Sequence, residues 1–447
     1  MPTSSHSTPA ETTLCEKEAL LLPSISIGIC GHVAHGKSTL IKSLTGVRTQ
    51  KHSKEKLNNG STIKLGYANA KLWQCDEHPD ESTTSTASTV KSAPDCALCD
   101  GAMRCVRHVS FVDCPGHSVL MTRMLSGASA MDAAIVVIAA NLPCPQPQTF
   151  EHVAALQALG ISNVFVVQNK VDLVDEAAAR ENLLQIRSFL KGTLLEDAPV
   201  VPMSAQRGWN LAYLLQALLL LREPKRHALM PARITVIRSF CVNKCGCTPE
   251  ELRGGVAGGI LVQGTVRVGD QLDIVPGLLI RQPDQSIVCK PLSTTVLSIF
   301  SDQTELDHAM PGGLYGLGLT LDSTLTKDDR LAGQVMGAPG TLPPVHARYL
   351  YIVFTLFPRI AVDVRSTTDG HTHKMLSRNR PLESGQRLLL NTGGATEYAR
   401  VVAVQPGGFA KLELQKPLAA ATGDRVCLSR CATGQQQQQQ QQQQERQ

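Results

Sequence analysis

The chain has 447 residues, which is more than one ordinary hydrophobic core supports, so two to four domains are expected. Hydrophobic residues make up 43% and charged residues 18% of the sequence, the ordinary composition of a soluble globular protein. The net charge of +5 is compatible with nucleic-acid binding but does not establish it.

The amino-terminal segment carries no targeting signal. Residues 1–23, a predicted disordered tail, contain Glu11, Glu16 and Glu18 before any apolar run, unlike a signal peptide, and lack the arginines of a transit peptide. The longest strongly apolar run, AAIVVIAANL, falls well short of the ~20 residues of a membrane span. We therefore expect a cytoplasmic protein without membrane contact, whose 14 cysteines are mostly reduced.

Strands and helices alternate through the first half of the chain. The β-branched runs are SISIGIC, RHVSFVD, AAIVVIAA, NVFVVQNK and PVVPMSA, and helical patterns separate them. This order predicts an α/β domain at 24–227 with a doubly wound, mostly parallel sheet. An insertion at 74–106 interrupts it, and its Ser-, Thr- and acid-rich part, 76–95, is expected to be mobile.

Short strands separated by Gly and Pro dominate the second half. They predict two antiparallel β-barrels, a domain II at 228–342 and a domain III at 343–432. The glutamine run within 433–447 cannot form a packed core and predicts a disordered tail.

The stretch GICGHVAHGKSTL, residues 28–40, has the spacing of a phosphate-binding loop between a strand and a helix. Its glycines let backbone N–H groups surround phosphates, Lys37 supplies a cation, and the Ser38 hydroxyl can reach Mg²⁺. The predicted nucleotide-binding residues of the loop are Val33, Ala34, His35, Gly36, Lys37, Ser38 and Thr39.

Two further motifs follow at strand ends. In DCPGH, residues 113–117, Asp113 can reach the metal through water and the N–H of Gly116 can face a γ-phosphate. In NKVD, residues 169–172, Asp172 can accept two hydrogen bonds from guanine while Asn169 and Lys170 hold the base. Adenine would leave that carboxylate without its partners.

A third motif, SAQ at residues 204–206, can place the backbone N–H of Ala205 against the guanine oxygen, with Ser204 and Gln206 beside it. Each short motif alone is a common connector. Their order, at the strand ends where open α/β sheets bind ligands, predicts a GTP/GDP site with Mg²⁺.

The insertion contains a possible zinc site. Cys75-x-x-His78 and Cys96-x-x-Cys99 supply four ligands at knuckle spacing, and Cys105 competes with His78 as the fourth. The alternative is a set of solvated thiols in a disordered loop.

These motifs together make the chain similar to the translational GTPases of the elongation factor Tu type. Specifically, it resembles the gamma subunits of eukaryotic and archaeal translation initiation factor two. The stretches that carry the resemblance are GHVAHGKST, STIKLGYANAK, RHVSFVDCPGH, CPQPQT, VIRSF, VNK and GGVAGG. The resemblance covers about residues 24–430.

The resemblance implies a GTPase that binds initiator methionyl-tRNA in its GTP state and releases it after hydrolysis. It implies a heterotrimer with alpha and beta subunits, the small ribosomal subunit as partner, and activating and exchange factors. It also assigns Thr62 to Mg²⁺ and His117 to orienting the attacking water. Relatives often carry a zinc knuckle where the insertion lies.

For tRNA, the sequence offers Tyr67, Asn69 and Arg238. An aromatic ring and a basic group suit an acceptor end. On residue type alone, a packed tyrosine and a merely solvated arginine are equally good interpretations, and the resemblance favours tRNA for Tyr67.

Three departures from the family pattern keep alternatives open. Ser61 and Ser118 stand where relatives commonly have isoleucine and aspartate, and the chain passes into glutamines where relatives add a strand, so the domain III barrel is expected to be incompletely closed. The alternatives are a selenocysteine-type elongation factor and a GTP-binding scaffold that does not hydrolyse.

Overall fold

The structure is a computed structural model of the chain. It describes residues 23–47, 66–79, 82–90, 92–114, 131–224, 226–243, 254–284, 287–301, 304–356, 359–365, 372–378 and 380–430. Among these residues, no helix is both long enough and apolar enough to cross a membrane. The predicted tails, 1–23 and 433–447, lie outside the described residues apart from residue 23.

The first part of the chain forms a sheet with helices beside it. Its strands are β1 (Ile25–Cys30), β2 (Gly66–Gln74), β3 (Thr83–Ala87), β4 (Arg104–Asp113), β5 (Ala133–Ala139), β6 (Val164–Asn169) and β7 (Val200–Pro202). Its helices are α1 (Lys37–Thr45), α2 (Pro147–Ala158), α3 (Glu176–Leu190) and α4 (Leu211–Leu219).

Within the described residues, the strand order of this sheet is β3-β2-β4-β1-β5-β6-β7. The ladders from β4 to β7 are parallel, and β2 and β3 add an antiparallel edge. The central strand β5 is buried along its whole length, since helices cover both faces, and its residues are accordingly apolar. The parallel order brings the carboxyl ends of β1, β4 and β6 to one edge of the sheet.

An antiparallel barrel follows. Its elements are β8 (Arg233–Phe240), β9 (Val256–Gln263), β10 (Val266–Arg267), β11 (Gln271–Arg281), β12 (Ile287–Ser301), β13 (Thr304–Leu306), β14 (His308–Ala309), β15 (Leu314–Leu319), α5 (Ser323–Thr326) and β16 (Val335–Gly337). The order β11-β16-β8-β9-β15-β12 closes because β11 also pairs with β12. A core of alternating apolar residues fills it, with Val236, Ile274 and Met336 among the most buried.

A second antiparallel region completes the described chain. Its strands are β17 (Val345–His346), β18 (Tyr349–Val353), β19 (Arg359–Arg365), β20 (Thr372–Arg378), β21 (Arg387–Thr392), β22 (Ala395–Gln405), β23 (Phe409–Leu414), β24 (Leu418–Ala419) and β25 (Val426–Arg430). The main sheet has the order β18-β23-β22-β21-β25, and β17 pairs with β24 and β19 with β20. In the described residues, no ladder joins β18 to β25.

The predicted fold class is confirmed: an α/β domain with a mostly parallel sheet precedes antiparallel β-structure that includes a closed barrel. One local expectation is wrong. The segment 76–95, expected to be mobile, contains β3, which pairs with β2 from Ala70 to Gln74. Threonine-rich sequence suits an edge strand, so composition alone misled the prediction.

Ion pairs connect the three parts of the chain. Arg226, which precedes the barrel, donates to Asp132 at 2.5 Å, and Asp132 also accepts the backbone N–H of Ser26 at 2.8 Å. Arg233 in β8 and Asp424 before β25 form two hydrogen bonds, of 3.1 and 2.6 Å. The Arg425 guanidinium donates to the carbonyl of Leu159 beyond α2.

Candidate nucleotide site

The loop between β1 and α1 is shaped by residues with positive φ. Gly31 has φ 135° and Gly36 has φ 98°, conformations that favour glycine. A Cβ on Gly36 would lie 2.3 Å from the side-chain nitrogen of Asn169, so the loop approaches β6 more closely than any side chain allows. Ala34 also has a positive φ of 62°. The loop therefore has the tight curvature that lets backbone N–H groups converge on an anion.

Lys37 begins α1 and is 7% exposed. Its ammonium donates to the carbonyls of Gly31 and His32, at 2.8 Å each. Burial lowers the pKa of Lys37, and the nearby Asp113 carboxylate opposes that effect. The structure thus holds a buried cation against the predicted phosphate loop.

Ser38 and Asp113 meet at the same strand edge. The Ser38 hydroxyl donates to Asp113 Oδ2 at 2.9 Å, across from α1 to the end of β4. Hard oxygen ligands of this kind are what Mg²⁺ prefers, and such a site usually holds the ion by one or two protein groups plus substrate phosphates. The chemistry of these two side chains fits such an ion.

Asn169, at the end of β6, joins two loops through one amide group. Its Nδ2 donates to the carbonyl of His35 in the phosphate loop at 2.9 Å, and its Oδ1 accepts the N–H of Ala205 at 3.0 Å. The side chain is almost fully buried, so both contacts are sheltered from water. The loops that the sequence assigned to phosphate and to guanine are therefore held together by a single residue.

Asp172 lies in a single 3₁₀ turn, Val171–Leu173, that follows Lys170 with φ 64°. A hydrogen bond from the Ser204 side chain is the largest cause that lowers the pKa of Asp172, and Arg207 adds to it. Arg207 Nε lies 3.4 Å from Asp172 Oδ2. The carboxylate is therefore ionised at neutral pH and can accept hydrogen bonds, as guanine recognition requires.

Helix α2 supports the phosphate loop from the other side, which the short motifs did not predict. Gln148 on α2 accepts the N–H of Val33 at 3.1 Å, whereas the His35 ring N–H donates to the carbonyl of Val137 on β5 at 3.1 Å. His152, also on α2, is 1% exposed. The only sequence signal for this helix was the stretch CPQPQT, which carries Gln148.

Several predicted residues cannot be placed. Thr62, Gly116 and His117, together with the departures at Ser61 and Ser118, lie outside the described residues. Their roles stay predictions. Thr39, by contrast, is described and lies on α1, and Gln206 follows Ala205 in the loop after β7.

A cavity of about 830 Å³ lies between β2 and the closed barrel. Tyr67 and Arg238 both line it, beside apolar residues such as Phe240, Leu297 and Phe300. Tyr67 packs against Ile237, Ile260 and Leu314. The Arg238 guanidinium donates to Asp329 at 2.9 Å.

Asn69 does not line that cavity. Its side chain is buried, and its Oδ1 accepts a hydrogen bond from the Ser110 hydroxyl at 2.6 Å. The structure therefore brings Tyr67 and Arg238 together but leaves Asn69 bonded within the sheet, because Asn69 lies two residues further along the same face of β2, directly opposite Ser110 of β4.

The cysteine cluster of the insertion is compact. One ligand atom from each of Cys75, His78, Cys96 and Cys99 lies within 4.8 Å of the others. The Sγ atoms of Cys75 and Cys99 are 3.5 Å apart, close to the roughly 3.8 Å that tetrahedral Zn–S bonds impose. Hydrogen bonds with Ser82 and the Leu98 N–H lower the pKa of Cys96 to about 6. The alternative ligand Cys105 is not part of this group, and its Sγ contacts the Arg107 carbonyl.

Family models match two parts of the chain. Residues 22–224 match the elongation factor Tu GTP binding domain, and residues 350–435 match the C-terminal domain of initiation factor eIF2 gamma. Among solved structures, a bacterial selenocysteine-specific elongation factor has a TM-score of 0.63 at 21% identity, covering 91% of this chain, which spans 56% of that chain. Translation elongation factor SelB from Methanococcus maripaludis has a TM-score of 0.63 at 20% identity, covering 92% of this chain, which spans 75% of that chain. The fold and the site define a translational GTPase.

Sequence relatives are more specific than this shared fold. Eukaryotic translation initiation factor 2 subunit 3 of Drosophila melanogaster is 43% identical, over 91% of this chain and 85% of its own. Translation initiation factor 2 subunit gamma of Methanocaldococcus jannaschii is 43% identical, over 93% and 96%. The chain belongs to the gamma subunit family of translation initiation factor two, as predicted, and the selenocysteine alternative is not favoured because that likeness is one of fold alone.

Proposed function

We propose that this GTPase binds initiator methionyl-tRNA in its GTP state, delivers it to the small ribosomal subunit and releases it after hydrolysis. It would act in the cytoplasm as one subunit of a trimer with alpha and beta subunits, together with activating and exchange factors. Membership of the family supports this assignment. The single observation that carries the tRNA part is the cavity that Tyr67 shares with the barrel.

The nucleotide would lie along the edge where β1, β4 and β6 end. Lys37 and the loop N–H groups would hold its phosphates, and Asp172, with Asn169, Lys170 and Ala205, would hold guanine. Mg²⁺, when bound by Ser38 and Thr62 with Asp113 beside it, would neutralise phosphate charge. Gly116 would contact the γ-phosphate. His117 would orient the attacking water, and a partner would complete the hydrolytic site.

The cavity has the chemistry of a site for an aminoacylated RNA end. Its apolar walls suit an uncharged side chain such as that of methionine, and aromatic rings suit stacking of a base. Burial raises the pKa of Tyr67, so its phenol stays neutral, and its hydroxyl has no hydrogen-bond partner among the described residues. Tyr67 therefore brings a neutral ring and a buried polar group to the cavity.

A filter-binding comparison tests this function. The purified chain with its two partner subunits should retain initiator methionyl-tRNA with GTP more strongly than with GDP, and more strongly than elongator tRNA. Tyr67→Ala should weaken binding roughly tenfold, because stacking on an aromatic ring contributes on the order of 1–3 kcal/mol. Tyr398→Ala, which removes an exposed tyrosine of β22, is the matched control. Equal retention of both tRNAs would contradict the proposal.

Calorimetry tests the guanine site separately. Asp172→Ala should lose most of the preference for GDP over ADP, since the carboxylate is the group proposed to read the purine edge. If the variant still prefers GDP over ADP as strongly as the unmodified chain does, Asp172 is not the group that recognises guanine. Nucleotide binding as such would remain, because the phosphate loop is untouched.

Zinc is a further proposal for the insertion. Two or more thiolates with an imidazole are soft ligands that favour Zn²⁺, and the four ligand atoms lie close enough to share one ion. Zn²⁺ would fix the loops of Cys75 and Cys96 beside β2. We assign it a structural role, because all four positions of a tetrahedral ion would be taken by protein.

A further inference from the structure

Arg207 covers the carboxylate that is proposed to read guanine. Its Nε lies 3.4 Å from Asp172 Oδ2. The Asp172 side chain is 11% exposed, whereas that of Arg207 is 61% exposed. An exposed cation therefore occupies part of the small open face of an otherwise sheltered carboxylate.

Guanine and a guanidinium group present the same pattern to a carboxylate. The N1–H and the exocyclic N2 amino group of guanine form two parallel donors, and Arg offers adjacent N–H donors in a planar fork. Both groups would approach Asp172 from the side that the protein leaves open. They therefore cannot pair with this carboxylate in full at the same time.

The Arg207 guanidinium also makes a second contact. Its guanidinium carbon lies 5.4 Å from the ring centroid of Trp209, within the range of a cation–π contact. Its backbone N–H donates to the Ser204 hydroxyl at 3.3 Å, which ties the main chain to the loop that holds Ala205. Displacement from Asp172 thus requires only a side-chain movement, and the contact with Trp209 can persist through it.

We propose that Arg207 is an intramolecular competitor of guanine for Asp172, and that it lowers the affinity for GTP and GDP alike. This inference rests on the proposed role of Asp172 in guanine recognition. The function of such a competitor is to keep the bound nucleotide exchangeable. Because the pair is partly exposed, its competition is screened by salt.

Calorimetric titration of Arg207→Met with GDP and with GTP tests the competition. We expect about two- to fivefold tighter binding of both nucleotides at low salt, the range set by partly exposed ion pairs. The ratio between variant and unmodified chain should approach one at about 1 M salt. Arg180→Met is the matched control, since Arg180 is also exposed and pairs with a carboxylate, Glu176, but lies on α3 away from the base. It should leave both affinities unchanged.

The Asp172→Ala background separates the two proposals. There, Arg207→Met should bring no gain, because the shared partner is gone. Unchanged or weaker binding by Arg207→Met in the unmodified background overturns the competition. If in that case Asp172→Ala has lost its purine preference, guanine recognition by Asp172 stands alone. If Asp172→Ala keeps its purine preference, the proposed guanine role fails and the competition fails with it.

Discussion

Two histidines beside the phosphate loop are held neutral by burial. Burial lowers the pKa of His35 to about 4 and that of His152 to about 3. Lys37 and neighbouring histidines lower the pKa of His152 further. A cationic imidazole next to the buried Lys37 would be unfavourable, so the loop region is stable only while these rings stay uncharged.

Acid should therefore destabilise the protein through His152. Its folded pKa is below the unfolded value of 6.5, so the stabilisation is complete above pH 6.5 and is lost as the pH falls from there toward 3. Urea unfolding at pH 7 and pH 5 should show a loss of about 2 kcal/mol from this one group. His152→Gln should remove that share of the pH dependence.

Val153→Ala is the matched control for this measurement. Val153 is a buried neighbour on α2, and its truncation destabilises without removing a titrating group. It should keep the full difference between pH 7 and pH 5. If both variants show the same pH dependence, the buried neutral state of His152 is not its source.

For individual residues, sequence reasoning could assign only the positions whose chemistry follows from local spacing. Gly36, Lys37 and Asn169 were predicted at strand ends of one parallel sheet, and the structure places the Asn169 amide against the loop at His35 and Gly36. Gln148 and Arg207 were missed. Gln148 contacts Val33, and Arg207 contacts Asp172. The contacting residues are distant from each other in the sequence, and the residue type alone does not predict such contacts.

The insertion beside β2 is an element made of two short loops around the four proposed zinc ligands. Cys75 follows β2 directly and Cys96 lies in a turn that is closed by a hydrogen bond between the Cys96 N–H and the Gly101 carbonyl, 2.8 Å long. Both thiols are buried, beside Trp73 and Met103. The cysteines of these loops thus form a small buried cluster together with Trp73 and Met103.

Metal analysis of the purified chain tests the zinc proposal. The unmodified chain should contain about one Zn²⁺, and Cys96→Ser should lose it, because hydroxyl is a poor ligand where thiolate is required. Cys105→Ser provides the comparison, since Cys105 lies nearby but outside the group. Zinc that survives Cys96→Ser, or is lost with Cys105→Ser, would count against this ligand set.

The strand β3 could not be predicted from amino-acid composition. Its sequence, TTSTA, has no apolar alternation and stands in a polar stretch, so the pattern indicated a loop. Pairing with β2 decides the outcome, and the Trp73 indole N–H donates to the Thr86 hydroxyl at 2.8 Å across that pair. Pairing with the strand that precedes it in the chain supplies what local preference lacks.

In the whole molecule, a few polar contacts join the nucleotide-binding sheet and the two antiparallel regions. Arg233 and Asp424 connect the closed barrel to the last region, and their side chains are only 23% and 24% exposed. The Asp132 carboxylate accepts hydrogen bonds from both Arg226 and the backbone N–H of Ser26 in β1. Sequence reasoning predicted the order of these parts but not these contacts, because ion pairs between distant segments leave no periodic signal.

Asp424→Asn should weaken the connection between the two antiparallel regions. It leaves Arg233 without its charged partner, at a cost of about 1–3 kcal/mol. In urea, the unfolding transition should begin earlier and become less steep, since the parts no longer unfold together. Glu413→Gln is the comparison: it breaks a more exposed pair, with Arg348, inside one sheet, and should change little.

The amide of Asn169 has a consequence for how nucleotides are told apart. Because it bonds the His35 carbonyl on one side and the Ala205 N–H on the other, displacement of either loop is transmitted to its neighbour. Substitutions at Lys37 and Asp172 should then be non-additive in a double-mutant cycle, with a coupling energy that vanishes when Asn169 is replaced. An inhibitor designed to bind only the phosphate loop would therefore also be sensitive to changes in the loop that carries Ala205.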